Sequence, residues 1–287
     1  MPMPLAGRII IVTGASSGIG AATAVACARE GMDLVITARR ADRLDTVAKR
    51  IESMERRVAT VVGDVAEPDM ARRLVRTAQQ AFGGFDFVFA NAGFGASRFS
   101  LEETMEETRR MFDVNFFAAV DLLRVSARSL IDAGRPGHLL MCASCQSRFT
   151  LPLSGTYSAT KAAQSAICAA LRHELREHRI EVSSVHPVTT ETEFFENASR
   201  NGGLPEPVDG KPGHAPKLFV QSPERVARAV VRCLSRPVPE VWTSHTVRFF
   251  AAMATAFPSL GQWLLARQTR EEFAAARAME SRDRGGR

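Results

Sequence analysis

Apolar residues along the chain alternate between two periods. Continuous runs of strand length occur at residues 8–13 (RIIIVT), 33–38 (DLVITA), 58–62, 86–90 (DFVFA), 138–143 (HLLMCA), 181–186 (EVSSVH) and 238–242. Between them, residues 18–30, 42–56, 68–82, 101–133, 155–177 and 223–235 read as helices. A strand covered on both faces is an unbroken apolar run, and strands alternating with helices build a parallel sheet with helices on both sides. The pattern therefore predicts an α/β chain, a Rossmann-type doubly wound parallel sheet forming a single domain over residues 1–245. No internal repeat interrupts it.

Two segments break the rhythm. Residues 201–216 (NGGLPEPVDGKPGHAP) hold four prolines and four glycines, which excludes regular structure. They follow a strand end, where open α/β sheets bind ligands, and so read as a lid over a substrate. Residues 246–287 form a helical C-terminal extension, and within it 249–266 carry no formal charge over 18 positions. Pro258, Ser259, Gly261 and Gln262 interrupt that run, so it reads as two short apolar helices meeting at a turn rather than a membrane span. Packing on the core or a partner subunit is favoured over lying on a membrane.

Composition narrows the class. At 45% hydrophobic and 24% charged, the chain is that of a globular protein. Five cysteines, an odd number, point to free thiols in a reducing compartment, and MPMPLAGRII does not read as a signal peptide; a cytoplasmic location is expected. The net charge of +6 comes from dispersed arginines without a basic block, which reads as a solvated surface and not a nucleic-acid site. One detail does change the picture. There is a single tyrosine, Tyr157, and only four lysines, and one of these, Lys161, lies four residues after it.

TGASSGIG, Thr13 to Gly20, falls between the first strand and the first helix. Gly14 allows a tight turn, Gly18 lets backbone approach a pyrophosphate, and Gly20 permits close helix–strand packing. With Ser16, Ser17 and Ile19 these residues present a helix N-terminus to phosphate, the signature of a dinucleotide site. The second strand ends at Ala38 without the acid that would bond the ribose 2′-hydroxyl of NAD. Arg39 and Arg40 follow instead, and a guanidinium can pair with a 2′-phosphate, so the expected cofactor is NADP(H). Asp42 reads as the N-cap of the next helix.

Ser144, Tyr157 and Lys161 follow the fifth strand. Tyr157 and Lys161 share one helix face. A phenol is a poor base at neutral pH, but an adjacent ammonium and the positive charge of oxidised nicotinamide lower its pKa. Ser144 can hydrogen-bond a substrate carbonyl beside that phenol.

With these motifs in place, residues 6–240 resemble the short-chain dehydrogenase/reductase family. TGASSGIG is similar to its glycine motif, Asp64-Val65 to its adenine-contacting pair and Asn91-Ala92-Gly93 to its NAG segment. YSATK matches its core motif, and Ser144, Tyr157 and Lys161 keep its thirteen-then-four spacing. The resemblance implies that Tyr157 exchanges a proton with the substrate oxygen and Ser144 orients that oxygen. It implies that Lys161 binds the nicotinamide ribose, and that Asn115 holds a water in the proton relay. It also suggests a homodimer or homotetramer formed through the helices at 101–133 and 155–177. One departure stands out: after Pro187 the family's glycine is Val188, and either Thr192 or Thr190 contacts the nicotinamide carboxamide.

Other features carry less. Cys142 and Cys145 form a lone CxxC without a second pair at zinc spacing, so no metal is expected. His173 and His178 read as a solvated face, and His186 as structural. Phe94, Cys145, Phe149, Val188, Phe194 and Phe195 are the expected substrate contacts, an apolar set that favours a hydrophobic carbonyl compound over a sugar. The expected activity is NADP(H)-dependent interconversion of a ketone or aldehyde with an alcohol. NAD-dependent alcohol or steroid oxidation, and a non-catalytic NADP sensor, are the alternatives.

Overall fold

A computed structural model describes residues 3–194, 198–199, 201 and 220–268. The expected lid lies almost wholly outside the described residues, as do Phe195 and the end of the C-terminal extension. Seven strands form one sheet: β1 (Ile9–Thr13), β2 (Asp33–Ala38), β3 (Val58–Val62), β4 (Phe87–Ala90), β5 (Gly137–Cys142), β6 (Ile180–His186) and β7 (Glu240–Trp242). All neighbours are parallel, in the order β3-β2-β1-β4-β5-β6-β7. The order reverses between β1 and β4, and in open sheets that switch point places ligands beyond the carboxyl ends of the strands.

Alternation along each strand explains the two cores. Ile10 and Val12 of β1, with Leu34, Ile36, Phe87 and Phe89, pack on one face. Helices α1 (Gly18–Arg29) and α2 (Ala41–Glu52) cover that face together with α7 (Pro223–Ser235). Ile11, Val35, Val88, Leu139 and Met141 point the other way. They meet α3 (Met70–Phe82), α5 (Ala118–Asp132) and α6 (Gly155–Glu174). Both faces are buried, which is why the strands are continuous apolar runs.

Three departures from the expected boundaries have clear physical causes. Residues 101–133 are not one helix. Thr104 and Glu107 form a reciprocal capping box that starts α4 (Met105–Phe112), and a π-helical turn, Asp113–Phe117, separates it from α5. Apolar periodicity cannot register one extra residue in a turn. Asp42 is not the cap of α2: Arg40 takes that position and Asp42 lies in the first turn, where its charge still suits the helix dipole. The same helix stops at Glu52 instead of 56, because the chain tightens into i→i+3 bonds and Glu55 adopts a positive φ of 58°. Beyond β7, α8 (His245–Ala256) and α9 (Pro258–Gln268) meet at Phe257. No helix among the described residues is long and apolar enough to cross a membrane.

Two buried histidines make the fold acid-sensitive. His138 on β5 and His186 on β6 are both 0% exposed, and burial pushes their pKa values down to about 3 and about 4. Between those values and the unfolded pKa of about 6.5, the unfolded chain binds more protons than the folded one, so stability falls as pH drops. Urea titrations should show stability roughly 2–4 kcal/mol lower at pH 5 than at pH 7, a difference that His138→Asn reduces. Equal stability at both pH values contradicts this account.

Candidate active site

The chain builds a cleft of about 1270 Å3 across the carboxyl ends of the central strands. Its nucleotide end is the turn after β1. Thr13 anchors it by accepting hydrogen bonds at Oγ1 from the amides of Asn91 and Ala92, both at 3.0 Å. Asn91 Nδ2 donates back to the Thr13 carbonyl at 3.0 Å. The ends of β1 and β4 are thereby spliced at the switch point. Gly14 and Gly18 have φ of +67° and +55°, in the left-handed region that favours glycine. At Gly20 the constraint is space, for a Cβ there would lie 2.2 Å from the Gly14 carbonyl oxygen and 2.6 Å from Asn91 Nδ2. Ser17 caps α1 without a side-chain hydrogen bond to the helix amides, leaving the helix N-terminus to face the cleft.

Arg40 donates to Ser17 Oγ at 2.7 Å and to Ser16 Oγ at 3.3 Å, so it lies against this turn. Arg39 is 72% exposed along its side chain, with Asp64 at 4.0 Å. Asp64 also pairs with Arg110. Its partial burial works to raise its pKa, but the Ala66 amide, Arg110 and Arg39 outweigh that and hold the carboxyl below its usual range. Asp64 and Val65 both line the cleft, as do Asn91, Ala92 and Gly93.

At the other end, Ser144, Tyr157 and Lys161 converge. Ser144 opens a 3₁₀ turn, Cys145–Ser147, and its Oγ accepts from the Gln146 amide at 3.1 Å. Gln146 Oε1 accepts from Ser158 Oγ at 2.8 Å, which ties this turn to α6. His186 completes the support. Its Nδ1 lies 3.1 Å from the Ser144 carbonyl and 3.0 Å from Ser147 Oγ, while its ring stacks on Trp242 with centroids 4.5 Å apart. Lys161 is 4% exposed, its Nζ donates to the Cys142 carbonyl at 2.7 Å, and it sits 5.5 Å from the Tyr157 ring centroid. Burial lowers the Lys161 pKa. Burial raises that of Tyr157, against a lowering hydrogen bond with Ser144. In the bare protein the phenol is therefore protonated at neutral pH.

Asn115 lies behind the cleft wall, in the π-helical turn, and is 0% exposed. Its Oδ1 accepts from the Phe94 amide and its Nδ2 donates to the Phe94 carbonyl, both at 2.9 Å. Nδ2 also donates to Thr160 Oγ1 at 3.1 Å, and Gln164 donates to the Asn115 backbone carbonyl. Asn115 thus joins the loop after β4 to α6.

Beyond β6, Pro187 and Val188 line the cleft. The Thr190 hydroxyl donates to the Val188 carbonyl at 2.8 Å and accepts from Gln221 at 3.2 Å. Thr192 instead packs on the phosphate turn: a Cβ at Gly18 would lie 2.9 Å from its Cγ2. Phe94, Cys145 and Phe149 surround the open space. Phe194 stands 5.2 Å from the Tyr157 ring. Burial holds the Cys145 thiol up at about 11, so it is neutral. Every described residue expected at the site lines this cleft except Gly20 and Asn115, which support it from beneath.

Several contributors escaped the sequence reading. Val247 and Phe250 of α8 also face the cleft, and Phe250 packs edge-on against Phe149 at 5.5 Å. Gln146 and Gln164 had only their spacing from Ser144 and Lys161 as a signal. For α8 there was none, since its place depends on how the chain returns after β7.

Fold and site together define a dinucleotide-dependent α/β oxidoreductase. Residues 8–202 match the family described as short chain dehydrogenase, and the chain belongs to the short-chain dehydrogenase/reductase family. It is an NAD(P)-dependent enzyme of that family. An uncharacterized oxidoreductase of Bacillus subtilis, YxnA, is 27% identical over 263 residues, covering 91% of this chain and 72% of that one. Among solved structures, a short chain dehydrogenase from Mycobacterium paratuberculosis bound to NAD superposes with a TM-score of 0.73 at 27% identity, over 84% of this chain and 97% of that one. L-sorbose reductase from Gluconobacter frateurii, complexed with NADPH and L-sorbose, gives 0.72 at 28% identity, over 84% and 97%.

Proposed function

We propose that this enzyme uses NADP(H) to interconvert a hydrophobic ketone or aldehyde and its alcohol, with Tyr157 as proton donor and acceptor. The observation that carries the reading is the convergence of Ser144, the only tyrosine and a buried lysine in one cleft continuous with the glycine turn. The turn fits the cofactor, because Gly14, Gly18 and Gly20 leave no room for side chains where a pyrophosphate must approach. Ser16, Ser17, Ile19, Arg39 and Arg40 would hold the adenosine end, with Asp64, Val65 and the Asn91-Ala92-Gly93 segment beside it. Lys161, Pro187, Val188 and Thr192 would hold the nicotinamide end. Thr192 is favoured over Thr190: the Thr190 hydroxyl is bonded to Val188 and Gln221 at 2.8 and 3.2 Å, whereas Thr192 Oγ1 has only longer contacts, 3.5 Å to the Thr190 carbonyl and 3.3 Å from the Phe194 amide.

When bound, the nicotinamide supplies or takes up the hydride. In the reducing direction the Tyr157 phenol donates its proton to the carbonyl oxygen while Ser144 Oγ steadies that oxygen. Lys161 sets the electrostatics of the phenol. Phe94, Phe149, Phe194 and Phe250 give the cleft an apolar lining, which supports a hydrophobic substrate. The aromatic cluster of Phe112, Phe116 and Phe117, with Phe117 57% exposed, suits association into a homodimer or homotetramer in the cytoplasm.

The test follows NADPH absorbance against lipid, aromatic and aliphatic ketones, with NADPH and NADH titrated in parallel. Turnover of apolar ketones and at least tenfold tighter NADPH binding are expected. Comparable affinities for the two cofactors overturn the NADP(H) assignment, and silence across the panel overturns the activity.

A further inference from the structure

After β6 the chain crosses back over the phosphate turn. Thr192 packs on Gly18, and the next residue, Glu193, reaches α2. Its Oε2 accepts from Arg40 NH1 at 2.8 Å, and its Oε1 accepts from Arg43 NH1. The other end of the Arg40 guanidinium is bonded to Ser17 and Ser16. One carboxylate therefore spans two guanidiniums at the mouth of the cleft, beside the hydroxyls of the phosphate turn. Glu193 and Arg40 both line that cleft.

We propose that Glu193 is a cofactor-specificity residue, an internal anion that occupies Arg40 and Arg43 until a cofactor phosphate displaces it. The inference rests on the NADP(H) reading above. Arginine pairs bidentately with carboxylate and with phosphate alike, so the two compete for the same donors. A 2′-phosphate carries more negative charge than the carboxylate and draws the guanidinium away, whereas the 2′-hydroxyl of NAD(H) cannot. The remaining carboxylate then stands close to the incoming phosphate and repels it. Hydrogen bonds from Arg40 and Arg43 hold the Glu193 carboxyl below its usual range, so the competing charge is present at neutral pH. An isolated surface ion pair would matter little. This one bridges 153 residues of sequence and joins the segment after β6 to the turn that binds phosphate.

Glu193→Gln keeps the shape and removes the charge. Equilibrium titration by calorimetry, with no turnover required, should show NADPH binding about tenfold tighter in this variant and NADH binding changed by less than twofold. Adenosine 2′,5′-bisphosphate should repeat the gain, and adenosine 5′-monophosphate should not. Equal changes for both cofactors, or weaker NADPH binding, overturn the proposal; the latter would make Glu193 a clamp over bound cofactor. Arg39→Ala, titrated alongside, separates this from the parent reading. If the wild type binds NADPH and NADH alike and Arg39→Ala changes neither, the NADP(H) assignment fails, whereas the Glu193 proposal is judged only by the selective shift in Glu193→Gln.

Discussion

Tyr157→Phe is expected to lower turnover by roughly 1,000-fold or more while NADPH affinity stays within about twofold of wild type. The substitution removes one oxygen and leaves the ring packed beside Phe194 and Lys161. No second phenol exists in the chain to take over. The pH dependence follows from the same group. On the proposed mechanism reduction needs the phenol protonated, so its rate should be flat near neutrality and fall as pH rises through the pKa of the loaded site. Oxidation needs the phenolate and should rise over the same interval. Burial raises this pKa in the bare protein, against a lowering hydrogen bond with Ser144, and on the proposed mechanism Lys161 with oxidised nicotinamide brings it down further. Because Tyr157 is the only tyrosine, the ultraviolet signature of phenolate formation reports this residue alone. Near-wild-type turnover in Tyr157→Phe would refute its assigned role.

Gly20→Ala should abolish detectable cofactor binding, with a loss of roughly 100-fold or more in affinity and about 1–3 kcal/mol in stability. Two effects oppose each other here. Alanine is the better helix former, by about 1 kcal/mol. Against this, the new Cβ would sit 2.2 Å from the Gly14 carbonyl oxygen and 2.8 Å from the Gly14 carbonyl carbon, and backbone atoms cannot rotate aside. The turn must move away from α1, and its amides leave the positions that face phosphate. Cofactor titration and thermal unfolding decide the matter: an unchanged dissociation constant means the turn tolerates displacement and the argument from space is wrong.

The strands were legible because burial on both faces writes an uninterrupted apolar run, and five helices because their apolar stripes have one period. The break at Asp113–Phe117 was hidden, since a π-turn adds a residue without a polar signal. Yet it is what seats Asn115 between Phe94 and Thr160. The glycine turn and Ser144 were readable from their places at strand ends, and Tyr157 with Lys161 from their i, i+4 spacing on one helix. Contacts closed over long separations were not readable. Arg40 with Glu193, Phe149 with Phe250, and His186 with the Ser144 turn depend on how strand ends and helices gather in space. Arg40 illustrates the limit: the sequence marks it as a phosphate ligand, and only the fold reveals the carboxylate already holding it.

The strand order carries a consequence for assembly of the chain. β1, β2 and β3 pair within the first 62 residues, so that half of the sheet can form from near-neighbour contacts. β4 docks on the far side of β1, with Ile10 against Phe87, and β5, β6 and β7 extend the sheet from it. Non-local parallel pairings are slow to close. The Thr13–Asn91 splice thus closes the junction between the near-neighbour half of the sheet and the half that pairs over longer separations.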